Sequence, residues 1–132
     1  MRVLIVDDDP NCRQILELML ARQGWSLHFA ENGVEGLHQA RAVQPDLVLM
    51  DVLMPQMTGM DAVRHLKADP ELAGIPVFAI TALAFDEERR AAYAAGFDLV
   101  ITKPFTRRQL LEAVHRQFPE LGDPPAPRRV PA

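Results

Sequence analysis

Short apolar runs recur along the chain at Val3 to Val6, Leu27 to Ala30, Leu47 to Met50, Val77 to Ile80 and Leu99 to Ile101. Each has the length of a strand. Most are apolar at consecutive positions, the pattern of strands covered on both faces, as in a parallel sheet between helices. Helix-start signals stand between them. Asp9 followed by Pro10 reads as an N-cap with proline at the first helical position, and Ile15, Leu16, Met19 and Leu20 then recur at helical spacing until Gly24. Asn32-x-x-Glu35 and Thr106-x-x-Gln109 have the form of capping boxes. Thr58 is placed to cap a helix running to about Lys67, and Asp86, Glu87 and Glu88 put negative charge on the first turn of a helix that Gly96 ends. The alternation predicts an α/β domain, a doubly wound sheet of five parallel strands with five helices.

The pattern stops at Phe118. Pro119, Pro124, Pro125, Pro127 and Pro131 then fall among Gly, Asp and Arg, so the reading is one folded domain over residues 1–118 and a Pro-rich, disordered tail over 119–132. With 132 residues, 48% of them hydrophobic and 24% charged, the chain has material for a single core. A formal net charge of -4 argues against non-specific nucleic-acid binding and against a polybasic membrane footprint. No apolar run approaches ~18 residues and no basic-then-apolar leader follows Met1, so no membrane partner is expected. A single Cys12 cannot form an internal disulfide, which suits a reducing cytoplasm. Near a helix N-terminus its thiol pKa can be depressed, yet a free cysteine is more often a small buried hydrophobe. The four histidines, at 28, 38, 65 and 115, lack metal-ligand spacing.

The unusual polar residues all follow predicted strands: Asp7 and Asp8 the first, Asp51 the third, Thr81 the fourth and Lys103 the fifth. Open α/β sheets bind ligands at the carboxyl ends of their strands, so one crevice should gather them. Three crowded carboxylates must take up protons or hold a cation, and an all-oxygen set favours a hard ion, Mg²⁺ above others. Carboxylates, Mg²⁺, an ammonium and a hydroxyl make a site suited to phosphoryl transfer, where positioning and charge neutralisation do most of the catalysis. No Gly-rich nucleotide cradle is present, so the phosphoryl donor must come from outside.

The segments LIVDDDP, PDLVLMDVLMPQMTG, ITA and ITKPF, in this order and spacing, resemble the receiver domain of two-component response regulators, over about Arg2 to Phe118. The resemblance implies the CheY-like strand order 2-1-3-4-5 and a phosphoacceptor role for Asp51, which would take its phosphoryl group from a phosphohistidine of a histidine kinase or histidine phosphotransfer protein. It implies Mg²⁺ on Asp8 and Asp51, on Asp7 through water and on the backbone carbonyl of Leu53. Thr81 and Lys103 would hold the phosphoryl oxygens, Ala82 would be kept small beside them, and the Lys103-Pro104 bond would be cis. Leu53 and Leu83 would flank the site, and the face of the fourth helix, fifth strand and fifth helix would meet a downstream protein target. The chain would be a stand-alone signalling domain, not an enzyme in its own right. One position departs from the family: an aromatic residue usually stands three residues before the lysine, and this chain has Val100.

Two other readings stay open on the residues alone. A haloacid-dehalogenase-type phosphatase also uses a strand-end aspartate, a hydroxyl and a lysine, and Asp7-x-Asp9 has its Asp-x-Asp form; but Asn11 stands where that family has Thr or Val, and no acidic pair follows the lysine. A flavodoxin-like flavin-binding module needs a Ser/Thr/Gly phosphate loop where this chain has three aspartates.

Overall fold

The computed structural model describes residues 1–82 and 85–122. Five strands, β1 (Arg2–Val6), β2 (Ser26–Ala30), β3 (Leu47–Asp51), β4 (Val77–Thr81) and β5 (Leu99–Thr102), alternate with five helices, α1 (Pro10–Leu20), α2 (Gly33–Val43), α3 (Gly59–Ala68), α4 (Asp86–Ala95) and α5 (Arg107–Gln117). All pairings are parallel, in the order β2-β1-β3-β4-β5. The fold class expected from the alternation is the one observed.

Successive strand residues serve opposite faces. Leu4, Val6, Val48, Met50, Val77 and Ala79 pack under Leu37, Ala62, Val63, Leu66 and Ala92 of α2, α3 and α4. Val3, Ile5, Leu47, Leu49, Phe78 and Ile80 pack under Leu16, Leu20, Leu110, Leu111 and Val114 of α1 and α5. This two-sided cover explains the unbroken apolar runs of the central strands. The edge strands β2 and β5 are only half-buried. Part of the β5 edge is capped by α4: the Val100 N–H donates to Tyr93 Oη at 3.2 Å, and Arg89 Nη2 donates to Thr102 Oγ1 at 3.3 Å. The Tyr93 hydroxyl thus occupies one edge donor, the Val100 N–H, that would otherwise be open to another strand.

The helix starts follow the sequence signals, with one change of detail. Asp9, Asn32, Thr58 and Thr106 accept backbone N–H groups as N-caps. Thr106 and Gln109 close a full capping box. In α2 the Asn32 half forms, but Glu35 reaches back to the Glu31 N–H at 3.4 Å in place of the cap's own. Beyond residue 118 the chain makes one further 3-10 turn, Pro119–Leu121. Phe118 and Leu121 pack on the α1/α5 side of the core, and the His115 ring, itself buried, bonds through Nδ1 to the Gly122 carbonyl at 3.0 Å. Residues 123–132, the rest of the Pro-rich segment, lie outside the described residues.

Lys67 was not distinguished in the sequence, yet its ammonium donates to the carbonyls of Ala73 and Ile75 and to Asp98 Oδ2 at 2.9 Å, while Asp98 also accepts the Val77 N–H. This knot fixes the loops that lead into β4 and β5. Those strands end at the polar crevice.

Candidate functional site

The carboxyl ends of β1, β3, β4 and β5 carry the expected polar residues into one place. Carboxylate oxygens of Asp7, Asp8 and Asp51 all lie within 4.8 Å of one another. Lys103 Nζ stands 3.8 Å from Asp7 Oδ2. Thr81 is buried at the end of β4, and its carbonyl accepts the Lys103 N–H at 2.7 Å. Lys103-Pro104 is a cis bond. The Leu53 N–H donates to Asp51 Oδ1 at 3.1 Å, so Leu53 lies beside the Asp51 carboxylate, with 60% of its surface exposed. Leu83 lies outside the described residues.

Asp51 is held from below by a glycine. The Gly59 N–H donates to the Val52 carbonyl at 2.9 Å, and a side chain at this position would run into the Asp51 carbonyl oxygen and come within 2.8 Å of Val52 Cα. Both obstacles are backbone, so neither can step aside. Gly59→Ala is expected to lower stability by about 1–3 kcal/mol through this overpacking, read as a drop of several degrees in thermal denaturation. An unchanged melting temperature would show that the close approach is not tight.

The electrostatics are those of a site with too much negative charge. Burial pushes the Asp7 carboxyl above its ordinary value and outweighs the N–H of Asp9 and the charge of Lys103; Asp8 and Asp9 push the same way as burial. Asp51 is raised too, by burial first and then by Asp7, against the Leu53 N–H and Lys103. Burial works to lower Lys103, but Asp51 and Asp7 prevail and leave it raised, firmly an ammonium. The converging carboxylates outnumber the ammonium beside them, an excess of negative charge that a divalent cation would offset. Asp7 Oδ2 is buried and, among the described residues, has no hydrogen-bond partner, with only the Lys103 ammonium at 3.8 Å facing it as a charge. An orphaned acceptor among converging carboxylates is what a hard cation would satisfy, so these residues fit Mg²⁺.

Cys12 borders the same crevice. Its Sγ lies 3.6 Å from Lys103 Nζ and 3.5 Å from Asp9 Oδ2. Burial and then Asp7 push the thiol up, against the lowering effect of the Lys103 ammonium. Beside it a cavity of about 250 Å³ opens between α1 and the β5–α5 loop, lined by Ile15, Met19, Pro104 and Phe105 among others. Arg13, also missed in the sequence, donates from Nη1 to the Asp7 carbonyl at 2.6 Å. Nothing in the spacing marks it, because the contact depends on where α1 turns back over the end of β1. Val100, at the departing position, is half-buried, with its N–H on Tyr93 as described above.

Residues 3–115 match the family described as the response regulator receiver domain. The chain is 36% identical over 109 residues to a probable transcriptional regulatory protein of Mycobacterium tuberculosis, TcrX, covering 83% of this chain and 46% of that one. It spans about half the length of the transcriptional and DNA-binding regulators among its relatives. Among solved structures it superposes on the chemotaxis protein CheY4 of Vibrio cholerae with a TM-score of 0.82 at 30% identity, covering 87% of this chain and 96% of that one. It also superposes on the receiver domain of the sensor histidine kinase PA1611 of Pseudomonas aeruginosa, with a TM-score of 0.81 at 29% identity, covering 87% and 94%. That receiver domain is described with a magnesium ion coordinated in its active site cleft.

Proposed function

The chain belongs to the response regulator receiver family of two-component signalling, and from that premise we propose that Asp51 is its phosphoacceptor, served by Mg²⁺, Thr81 and Lys103. The observation that carries the reading is the convergence of Asp7, Asp8, Asp51 and Lys103 at the carboxyl end of one sheet. The phosphatase and flavin-module alternatives gain no support from any of the matches.

In the proposed step an oxygen of the Asp51 carboxylate attacks the phosphorus of a phosphohistidine. The P–N bond breaks, its electron pair returns to the imidazole nitrogen, and an acyl phosphate forms on Asp51. Asp8, Asp51, the Leu53 carbonyl and, through water, Asp7 would hold Mg²⁺, which supplies charge neutralisation for the phosphoryl oxygens. Lys103 would pair with a phosphoryl oxygen once Asp51 is esterified, and the Thr81 hydroxyl would donate to another.

The donor is proposed to be a histidine kinase or histidine phosphotransfer protein. Its helices would dock on the exposed side of α1, where Ile15 and Leu18 are 49% and 68% exposed, and on the Pro104–Phe105 loop beside the cavity. The face of α4, β5 and α5, with Arg89, Arg90, Arg107 and Arg108, is proposed to meet the downstream protein. DNA binding is named for longer relatives; for this domain we propose protein contacts and no nucleic acid. No helix among the described residues is long and apolar enough to cross a membrane, and a cytoplasmic setting suits the reading.

Incubation with acetyl phosphate and Mg²⁺, followed by intact mass spectrometry, tests the assignment. The wild type is expected to gain one phosphoryl group and Asp51→Asn none. Undiminished labelling of Asp51→Asn would move the acceptor elsewhere.

A further inference from the structure

We infer that Arg13 is a positioning residue for the cation site: its guanidinium fixes the peptide plane from which Asp7 and Asp8 present their carboxylates. The inference rests on the cation site proposed above and adds to it a residue that is not a ligand.

Asp7 has four hydrogen-bonding positions, and three are fastened. Its N–H donates to the Ala30 carbonyl at 3.1 Å, its carbonyl accepts Arg13 Nη1 at 2.6 Å, and its Oδ1 accepts the Asp9 N–H at 2.9 Å. Among the described residues the buried Oδ2 alone is left without a hydrogen bond, with Lys103 Nζ 3.8 Å away. The Asp7 carbonyl and the amide of Asp8 share one rigid peptide plane, so a donor gripping that oxygen also sets the direction in which Asp8 leaves β1. A charge-assisted hydrogen bond of this length is of the stronger kind.

The two arms of the guanidinium are unequal. Nη2 lies 3.8 Å from Glu31 Oε1, and that glutamate is 70% exposed, whereas the Arg13 side chain is only 17% exposed. A pair at that distance with one partner largely in solvent contributes little. The carbonyl arm is therefore the one that matters, and α1 is wound so that its first turn supplies Asp9 as cap and its second supplies Arg13 as clamp. Groups that orient metal ligands from behind typically change metal affinity when removed.

A cation beside a cation site would, by charge alone, weaken Mg²⁺ binding, so its removal would tighten it. Positioning has the opposite sign. Calorimetric titration of the unphosphorylated protein with Mg²⁺ is expected to show Arg13→Gln binding about fivefold more weakly than wild type. Arg13→Lys, which keeps a donor within reach of the carbonyl but not the planar fork, should be about twofold weaker. In metal-free protein, hydrogen exchange at the amides of Asp8 and Asp9 should be faster in Arg13→Gln than in wild type, a readout independent of any bound ion. Mg²⁺ affinity equal to or above wild type in folded Arg13→Gln overturns the inference. Should that variant not fold, Arg13→Lys decides by the same criterion. Absence of Mg²⁺ binding in the wild type itself would instead sink the proposed cation site, and the exchange comparison would still decide whether Arg13 orders the loop.

Discussion

In metal-free buffer at pH 7, Asp8→Ala is expected to melt above the wild-type protein by about 5 °C, and Mg²⁺ is expected to raise the wild type while leaving the variant unmoved. The carboxylate oxygens of Asp7, Asp8 and Asp51 lie within 4.8 Å of one another. At such a separation two unit charges repel by about 1 kcal/mol in water and about 3 kcal/mol at an effective dielectric near 20. Asp8 is exposed, so the lower figure is the better guide, and it applies against two neighbours at once. Among the described residues no hydrogen bond involves the Asp8 side chain, so truncation removes repulsion with little else. A cation that binds only the folded state adds, at a hundred times its Kd, about 2.7 kcal/mol, and that is the gain expected of the wild type if the proposed site holds Mg²⁺.

The pH dependence follows from the same carboxylates. Asp7 and Asp51 are raised, chiefly by burial and by neighbouring acids, so the folded state holds these protons more tightly than the unfolded chain does. Their contribution to stability is fullest below about pH 4 and is lost as pH climbs through the folded-state values. Asp8 is among the charges behind both shifts. Its removal should flatten the decline, so wild type and variant converge near pH 4 and separate toward pH 7. Melting curves across that range, with and without Mg²⁺, decide. A variant that melts below wild type in metal-free buffer, or that gains as much from Mg²⁺, would remove Asp8 from the ligand set.

Strand ends and helix caps were legible because each depends on residues close in sequence. Asp9-Pro10, Thr58 and Thr106 announce their helices through a side chain that bonds a backbone N–H two or three residues on. The convergence of Asp7, Asp8, Asp51 and Lys103 could be foreseen because a parallel sheet sends all its strand ends the same way, so a polar residue after each apolar run has one destination. Arg13, Lys67 and Tyr93 were opaque for the complementary reason. Each reaches a backbone group whose place is set only after helix and sheet have packed: the Asp7 carbonyl, the carbonyls of Ala73 and Ile75, and the Val100 N–H. At Pro119–Leu121, within the segment whose prolines suggested a tail, the chain makes a 3-10 turn and Leu121 packs against the core, a contact that composition does not signal.

Val100 shows how far resemblance alone carries. An aromatic ring at that position would sit on β5. Here the ring belongs to Tyr93 on α4, 46% exposed, with its hydroxyl on the β5 edge. Movement of α4 relative to β5 must therefore break or remake this bond and the Arg89–Thr102 contact beside it.

With Asp51 as the proposed phosphoacceptor, the lifetime of the phosphorylated form would depend on what stands at the rim of its carboxylate. Hydrolysis of an acyl phosphate needs a water held in line with the breaking bond, and holding it requires a polar group at the rim. Leu53 occupies that rim, one backbone hydrogen bond from the acceptor carboxylate, and its side chain can neither donate nor accept. The phosphorylated protein is accordingly expected to be long-lived, suited to sustained signalling or onward transfer. Leu53→Asn places an amide where the leucine stood and is expected to shorten the lifetime about tenfold, the equivalent of roughly 1.4 kcal/mol of restored transition-state positioning. Because Leu53 is mostly solvent-exposed, the substitution opens no cavity in the core, and the melting temperature should stay within a degree or two of wild type. The measurement is loss of phosphorylated protein with time after removal of acetyl phosphate, at constant Mg²⁺. Decay in Leu53→Asn no faster than in wild type would show that water at this site is positioned by some other group.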